Sequence, residues 1–75
     1  MSVTILGREY VVVDTTILDL TNRNLTLVPP EIGQLVNLQY LILNHNQLTE
    51  ICPEIGQLVN LQYLNLSHNQ LTEFV

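Results

Sequence analysis

The side chains of this sequence that are able to do chemistry come in pairs, and each pair has the same spacing. His45 and His68 lie 23 residues apart, as do Glu31 and Glu54, and Glu50 and Glu73. Two imidazoles brought together can share a metal ion, and two carboxylates held close can divide into an acid and a base. A closed zinc site wants four ligands. Neither Cys52 nor any carboxylate falls on the histidine row, which Asn22 continues instead. No metal is expected there. The glutamates read as a solvated acidic face with no pocket to concentrate them. Cys52 stands where Pro29 stands one period earlier. No cation at its own end of the repeat would make it a thiolate. The sequence holds no nucleophile with its base and orienter, no phosphate-cradling loop and no cofactor motif. The expectation is a protein that is not an enzyme and takes no cofactor.

The common spacing belongs to the whole chain. Residues 35–57 read LVNLQYLILNHNQLTEICPEIGQ and residues 58–75 read LVNLQYLNLSHNQLTEFV, identical at 14 of the 18 positions that overlap. Self-similarity at a fixed period of 20–50 residues marks a stacked repeat architecture. The paired side chains are products of that period before they are anything else. Within a unit, Leu41 and Leu43 are two apart and so share one side of an extended strand. Asn46 follows at a bend, where its side chain can bond backbone groups that would otherwise be buried unpaired. Pro53-Glu54-Ile55 opens a short helical piece, with proline at an N-terminal position it tolerates. Leu58 and Leu61 return the chain to the core. The expected strands are 40–44 and 63–67, and the 18 residues between them (45–62) suffice for a parallel crossover.

The first unit is degenerate. The period places Leu18, Leu20 and Leu25 under Leu41, Leu43 and Leu48, but Thr15 replaces Leu38, and Arg23 replaces Asn46. Arginine accepts no hydrogen bond, so Asn22 or Asn24 is expected to substitute in part. Residues 1–14 lie outside the period. Val3-Thr4-Ile5-Leu6 and Tyr10-Val11-Val12-Val13 are β-prone, and Gly7-Arg8-Glu9 links them. They read as a hairpin covering the first core layer. The organisation expected is an N-terminal cap at 1–14 and repeats over 15–75: a degenerate one at 15–34, a full one at 35–57 and an incomplete one at 58–75.

Composition narrows the partners. The chain has 75 residues, is 47% hydrophobic and carries a net charge of −5 with Arg8 and Arg23 as its only basic side chains. Nucleic-acid binding needs clustered lysine and arginine, and anionic lipid makes the same demand. Both are set aside. Cys52 is a single cysteine, so no internal disulfide forms. With no secretory leader legible at the N-terminus, a cytoplasmic location is the expectation and the sequons at Asn24 and Asn65 are read as unused.

Leu38-Leu41-Leu43-Asn46-Leu48 and Leu61-Leu64-Leu66-Asn69-Leu71 spell LxxLxLxxNxL. The sequence resembles the leucine-rich repeat family. The linking Pro-Glu-Ile-Gly-Gln-Leu resembles its 23-residue intracellular class, found in Ras-pathway scaffold proteins and in bacterial and viral arrays. The opening hairpin is also similar to the start of repeat proteins of large amoeba-infecting viruses. The resemblance implies an α/β solenoid. Its short parallel sheet would line a concave face that binds protein, with short helical or 3-10 turns on the convex side.

Residues alternating with the core leucines form an exposed grid: Ile17, Asp19 and Thr21; Tyr40, Ile42 and Asn44; Tyr63, Asn65 and Ser67. Tyr40 and Tyr63 are expected to stack beside Ile17, like the aromatic centre of a binding patch. Covering of one ring by the other, with no partner, is the plain alternative. The partner-binding set is Ile17, Asp19, Tyr40, Ile42, Asn44, Tyr63, Asn65 and Ser67. Val75 comes just before the Pro-Glu-Ile-Gly that the period demands next. Leu64, Leu66, Leu71 and Phe74 are therefore expected to form a bare last layer. That layer suits a homo-oligomer, or the next repeat of a longer array.

Overall fold

The computed structural model describes residues 1–72, so Phe74 of the expected last layer lies outside the described residues. Alternating burial builds the first element. Val3 and Ile5 point inward from β1 (Ser2–Ile5), which pairs antiparallel with β2 (Arg8–Val11). The turn is shorter than the sequence suggested. It consists of Leu6 and Gly7, with φ of 51° and 79°. Two positive φ values match the right-handed twist of a tight hairpin. Arg8 and Glu9, expected in the link, therefore belong to β2 and pair with Ile5 and Thr4.

Three short strands make the second sheet: β3 (Ile17–Asp19), β4 (Tyr40–Ile42) and β5 (Tyr63–Asn65). They are parallel and in register, with Ile17 beside Tyr40 beside Tyr63. Each is three residues long, against five expected for the second and third. The hydrogen-bond ladder nevertheless runs on, because the Leu43 N–H donates to the Asn65 carbonyl at 2.9 Å and the His45 N–H to that of Ser67 at 3.1 Å. The strand geometry breaks at the next step because Asn22, His45 and His68 all take left-handed backbone, with φ between 55° and 60°. That is the start of the bend in every unit.

Two 3-10 turns, Pro30–Gln34 and Pro53–Gln57, pack against each other away from the sheet. Proline starts each, and a bond from Leu35 or Leu58 back to the isoleucine ends it. Gly33 sits at their close approach. A Cβ there would lie 2.5 Å from the Gln57 side-chain oxygen and 3.0 Å from the Glu54 carbonyl, whereas one on Gly56 would meet nothing.

The core runs between these layers. Val3 and Ile5 of the hairpin join Leu18, Leu20, Ile32, Leu35, Leu38, Leu41, Leu43 and Leu48 in one buried cluster. Full burial of such a side chain stabilises by roughly 1.5–3 kcal/mol. The middle unit is sealed and the next is not: Leu41 is 0% exposed and its equivalent Leu64 is 36%. Thr15, which breaks the leucine pattern, closes the hairpin instead. Its hydroxyl donates to the Val11 carbonyl at 2.7 Å.

Among the described residues Asn46 is the one buried polar side chain. Its Oδ1 accepts from the Arg23 and Leu25 N–H groups at 2.9 and 3.1 Å. Its Nδ2 donates to the Leu20 and Leu43 carbonyls at 3.0 and 2.9 Å. The bend at Arg23 is thus served from the following unit. The side chains of Asn22 and Asn24, expected to help, contribute left-handed backbone instead. Asn69 repeats the pattern one layer on, accepting from the Leu48 N–H at 3.0 Å. A second asparagine row, unnoticed in the sequence, ties the other corner. Asn37 and Asn60 donate to the carbonyls of Val13 and Val36 at 3.2 and 3.0 Å.

Candidate functional site

The outward side chains of β3, β4 and β5 form one surface. Ile17, Tyr40 and Tyr63 make its first row and all three are exposed. Asp19, Ile42 and Asn65 make the second row. With short parallel strands about 4.8 Å apart, side chains from all three strands meet. Ile17, Tyr40, Ile42 and Tyr63 line an open hollow of about 310 Å³ whose lining is wholly apolar. The two tyrosine rings do not stack flat as expected. Their centroids are 6.2 Å apart and the planes are tilted by 44°. Aromatic quadrupoles favour such tilted geometry over a face-to-face sandwich, and the tilt leaves part of each ring open to the hollow.

The polar members of the grid bond to one another. The Asp19 Oδ1 accepts from the N–H of Thr21 at 3.0 Å and from its hydroxyl. Thr21 also lies 2.9 Å from the Asn44 amide. A hydroxyl carries one hydrogen. With that hydrogen on the carboxylate, the consistent arrangement turns the Asn44 NH2 toward the Thr21 oxygen. On β5, the Asn65 Oδ1 accepts from the Ser67 N–H at 3.0 Å and the Ser67 hydroxyl at 2.8 Å. Asp19 and Asn65 therefore build the same local turn. The two Thr21 bonds hold the Asp19 carboxyl below its ordinary value. Asp19 is the single charged residue among the nine grid positions.

The pairs with chemical potential stay apart from this face's hollow. His45 and His68 stack with centroids 4.3 Å apart and planes within 7°. Parallel rings direct their lone pairs side by side rather than toward a common point. Glu31 and Glu54 sit in the first turn of the two 3-10 segments. Cys52 is half-buried, and that burial pushes its thiol up, away from the thiolate. Leu66 and Leu71 are half-buried against the core, and Leu64 is exposed.

Sequence reasoning passed over another row. Val13, Val36 and Val59 recur at the same 23-residue spacing and all are exposed. The period alone was enough to find them. They lie beside the asparagine row of Asn37 and Asn60, at a corner of the unit rather than on the sheet.

The comparison with known families agrees with the geometry of strand, bend and 3-10 turn. A family model described as leucine rich repeat matches residues 15–74. The hairpin residues 1–14 lie outside the match. No curated protein matches the chain. The matched span takes in all three parallel strands, both 3-10 turns and the asparagines that tie them, and on that evidence the chain belongs to the leucine-rich repeat family.

Proposed function

We propose that this chain is a non-enzymatic interaction module that binds a protein partner through the outward face of its parallel sheet. Leucine-rich repeat domains generally mediate protein–protein interaction and are typically not enzymes. The observation that carries the proposal for this chain is the hollow of Ile17, Tyr40, Ile42 and Tyr63. Four apolar side chains from three strands converge on the outward face, with Ile17, Tyr40 and Tyr63 exposed and Ile42 half-buried. Tyrosine at the centre of a patch, ringed by polar groups, is the composition of binding hot spots. Asp19, Asn44, Asn65 and Ser67 supply that polar ring. A hollow of about 310 Å³ is at the small end of ligand sites and suits a protein side chain. We place the module in the cytoplasm, as a member of the 23-residue intracellular class, and its one cysteine is a free thiol.

The test is a double substitution, Tyr40→Ala with Tyr63→Ala. Neither ring belongs to the core cluster, and the residues are 39% and 48% exposed, so the fold is expected to persist by circular dichroism. Affinity-purified partner should be lost from the variant. Capture equal to that of the unaltered chain would reject the sheet face as the site.

Self-association is the alternative, and the exposure of Leu64 with half-buried Leu66 and Leu71 favours it. A second copy would cover that layer, and so would a further repeat. Sedimentation at rising concentration separates the two. A dimer supports self-association through this edge, and a well-folded monomer throughout removes it.

A further inference from the structure

The face carries one feature that its own folding does not explain, and the far strand of the same sheet, β5, makes this visible. Asp19 and Asn65 occupy the same row and build the same turn onto the residue two ahead. At position 65 a neutral amide does the whole structural task, accepting from the Ser67 N–H and hydroxyl. The carboxylate at position 19 therefore adds a charge and nothing that the turn requires. Both of its bonds are made by Oδ1, and Asp19 is exposed, so Oδ2 faces solvent. Its register partner is Ile42, a wall of the apolar hollow. A fixed negative charge thus stands about one strand spacing, some 4.8 Å, from an open apolar pocket. The wider field has the same sign: the chain carries −5, and two arginines are its only cations besides histidine and the N-terminus.

We infer that the face recognises an extended basic peptide segment of its partner, with one bulky apolar side chain in the Ile17–Tyr40–Ile42–Tyr63 hollow and an adjacent lysine or arginine on the Asp19 carboxylate. This rests on the sheet face being the binding site, and sharpens it to a class of partner. The hollow takes the apolar group without polar cost. The hydrogen bonds from Thr21 keep the carboxylate ionised and aimed, so little is lost in ordering it. An acidic segment meets repulsion from Asp19 and from the net charge.

A random 12-residue library displayed on phage, selected against the whole chain at low salt, tests this. Selected peptides are expected to pair an aromatic or large aliphatic residue with lysine or arginine within two positions. Asp19→Asn keeps the turn, as Asn65 shows it can, and removes only the charge. It is expected to weaken those peptides by about two- to fivefold, the scale of an exposed ion pair. Added salt should weaken binding to the unaltered chain more than to the variant. Peptides without basic residues that still depend on Tyr40 and Tyr63 would overturn the basic-segment inference and leave the sheet face standing. Peptides indifferent to Tyr40→Ala with Tyr63→Ala would overturn both. A library that yields no binder overturns the inference as one about extended segments.

Discussion

Removing the Asn46 carboxamide strips partners from the Arg23 and Leu25 N–H groups and from the Leu20 carbonyl around a buried bend, while the Leu43 carbonyl keeps its bond from Asn69 Nδ2. Each such buried group left unpaired costs about 1–3 kcal/mol. Asn46→Ala is therefore expected to lose at least about 3 kcal/mol, a large part of the stability of a small domain. Asn69 makes similar bonds but is only half-buried, so water can replace its amide and Asn69→Ala should cost less. Urea unfolding of the two variants measures the difference, and equal losses would contradict the role given to burial. Asp19 sets a pH dependence at the same scale. Its folded-state carboxyl lies below the ordinary value because Thr21 bonds the ionised form. Its contribution is present above the ordinary carboxylate value and is lost as pH falls through the depressed one. Melting temperature followed below about pH 5 should fall less steeply for Asp19→Asn than for the unaltered chain. Identical slopes would mean that the bonds to Thr21 do not favour the ionised carboxylate.

The elements were legible where one period fixed them and blurred where backbone conformation decided. Leu41 and Leu43, two apart before an asparagine, were enough to place the strands, the buried face and the exposed grid. The same spacing said nothing of left-handed backbone at Asn22, His45 and His68, which turns the chain three residues beyond each strand. Asparagine and histidine are both enriched at positive φ, but residue type alone does not fix which of them takes it. The hairpin turn was misplaced for a related reason. Leu6 is not a residue expected at φ 51°, so the polar Gly7-Arg8-Glu9 looked the better link. The tilt of Tyr40 on Tyr63 depends on the space beside each ring, which neither period nor residue type reports. The two glycines of the 3-10 turns look equivalent in sequence and differ in the fold. Gly33→Ala meets Gln57 and Glu54 and is expected to cost about 1–3 kcal/mol as overpacking. Gly56→Ala meets nothing and should be neutral or stabilise by about 0.4–1 kcal/mol through the unfolded chain. Thermal unfolding of both checks this, and a reversed order would contradict the packing of the two turns.

At the scale of the molecule, nearly identical repeats are made unequal by what covers them. The hairpin and the two flanking units enclose the leucines of residues 35–57, whereas Leu64 remains exposed. The outward sheet face is built from all three units, and its hollow draws on each: Ile17 from the first, Tyr40 and Ile42 from the second, Tyr63 from the third. In the proposed reading recognition is a property of the stack, while the row of Val13, Val36 and Val59 lies at another corner. Site-directed photocrosslinking tests that division directly. A photoreactive side chain is placed singly at Tyr40, Tyr63, Val36 or Val59, and the covalent adduct with the partner is measured. Adducts from positions 40 and 63, with little from 36 and 59, are the predicted result; adducts from the valine positions with none from the tyrosines would contradict binding through the sheet face.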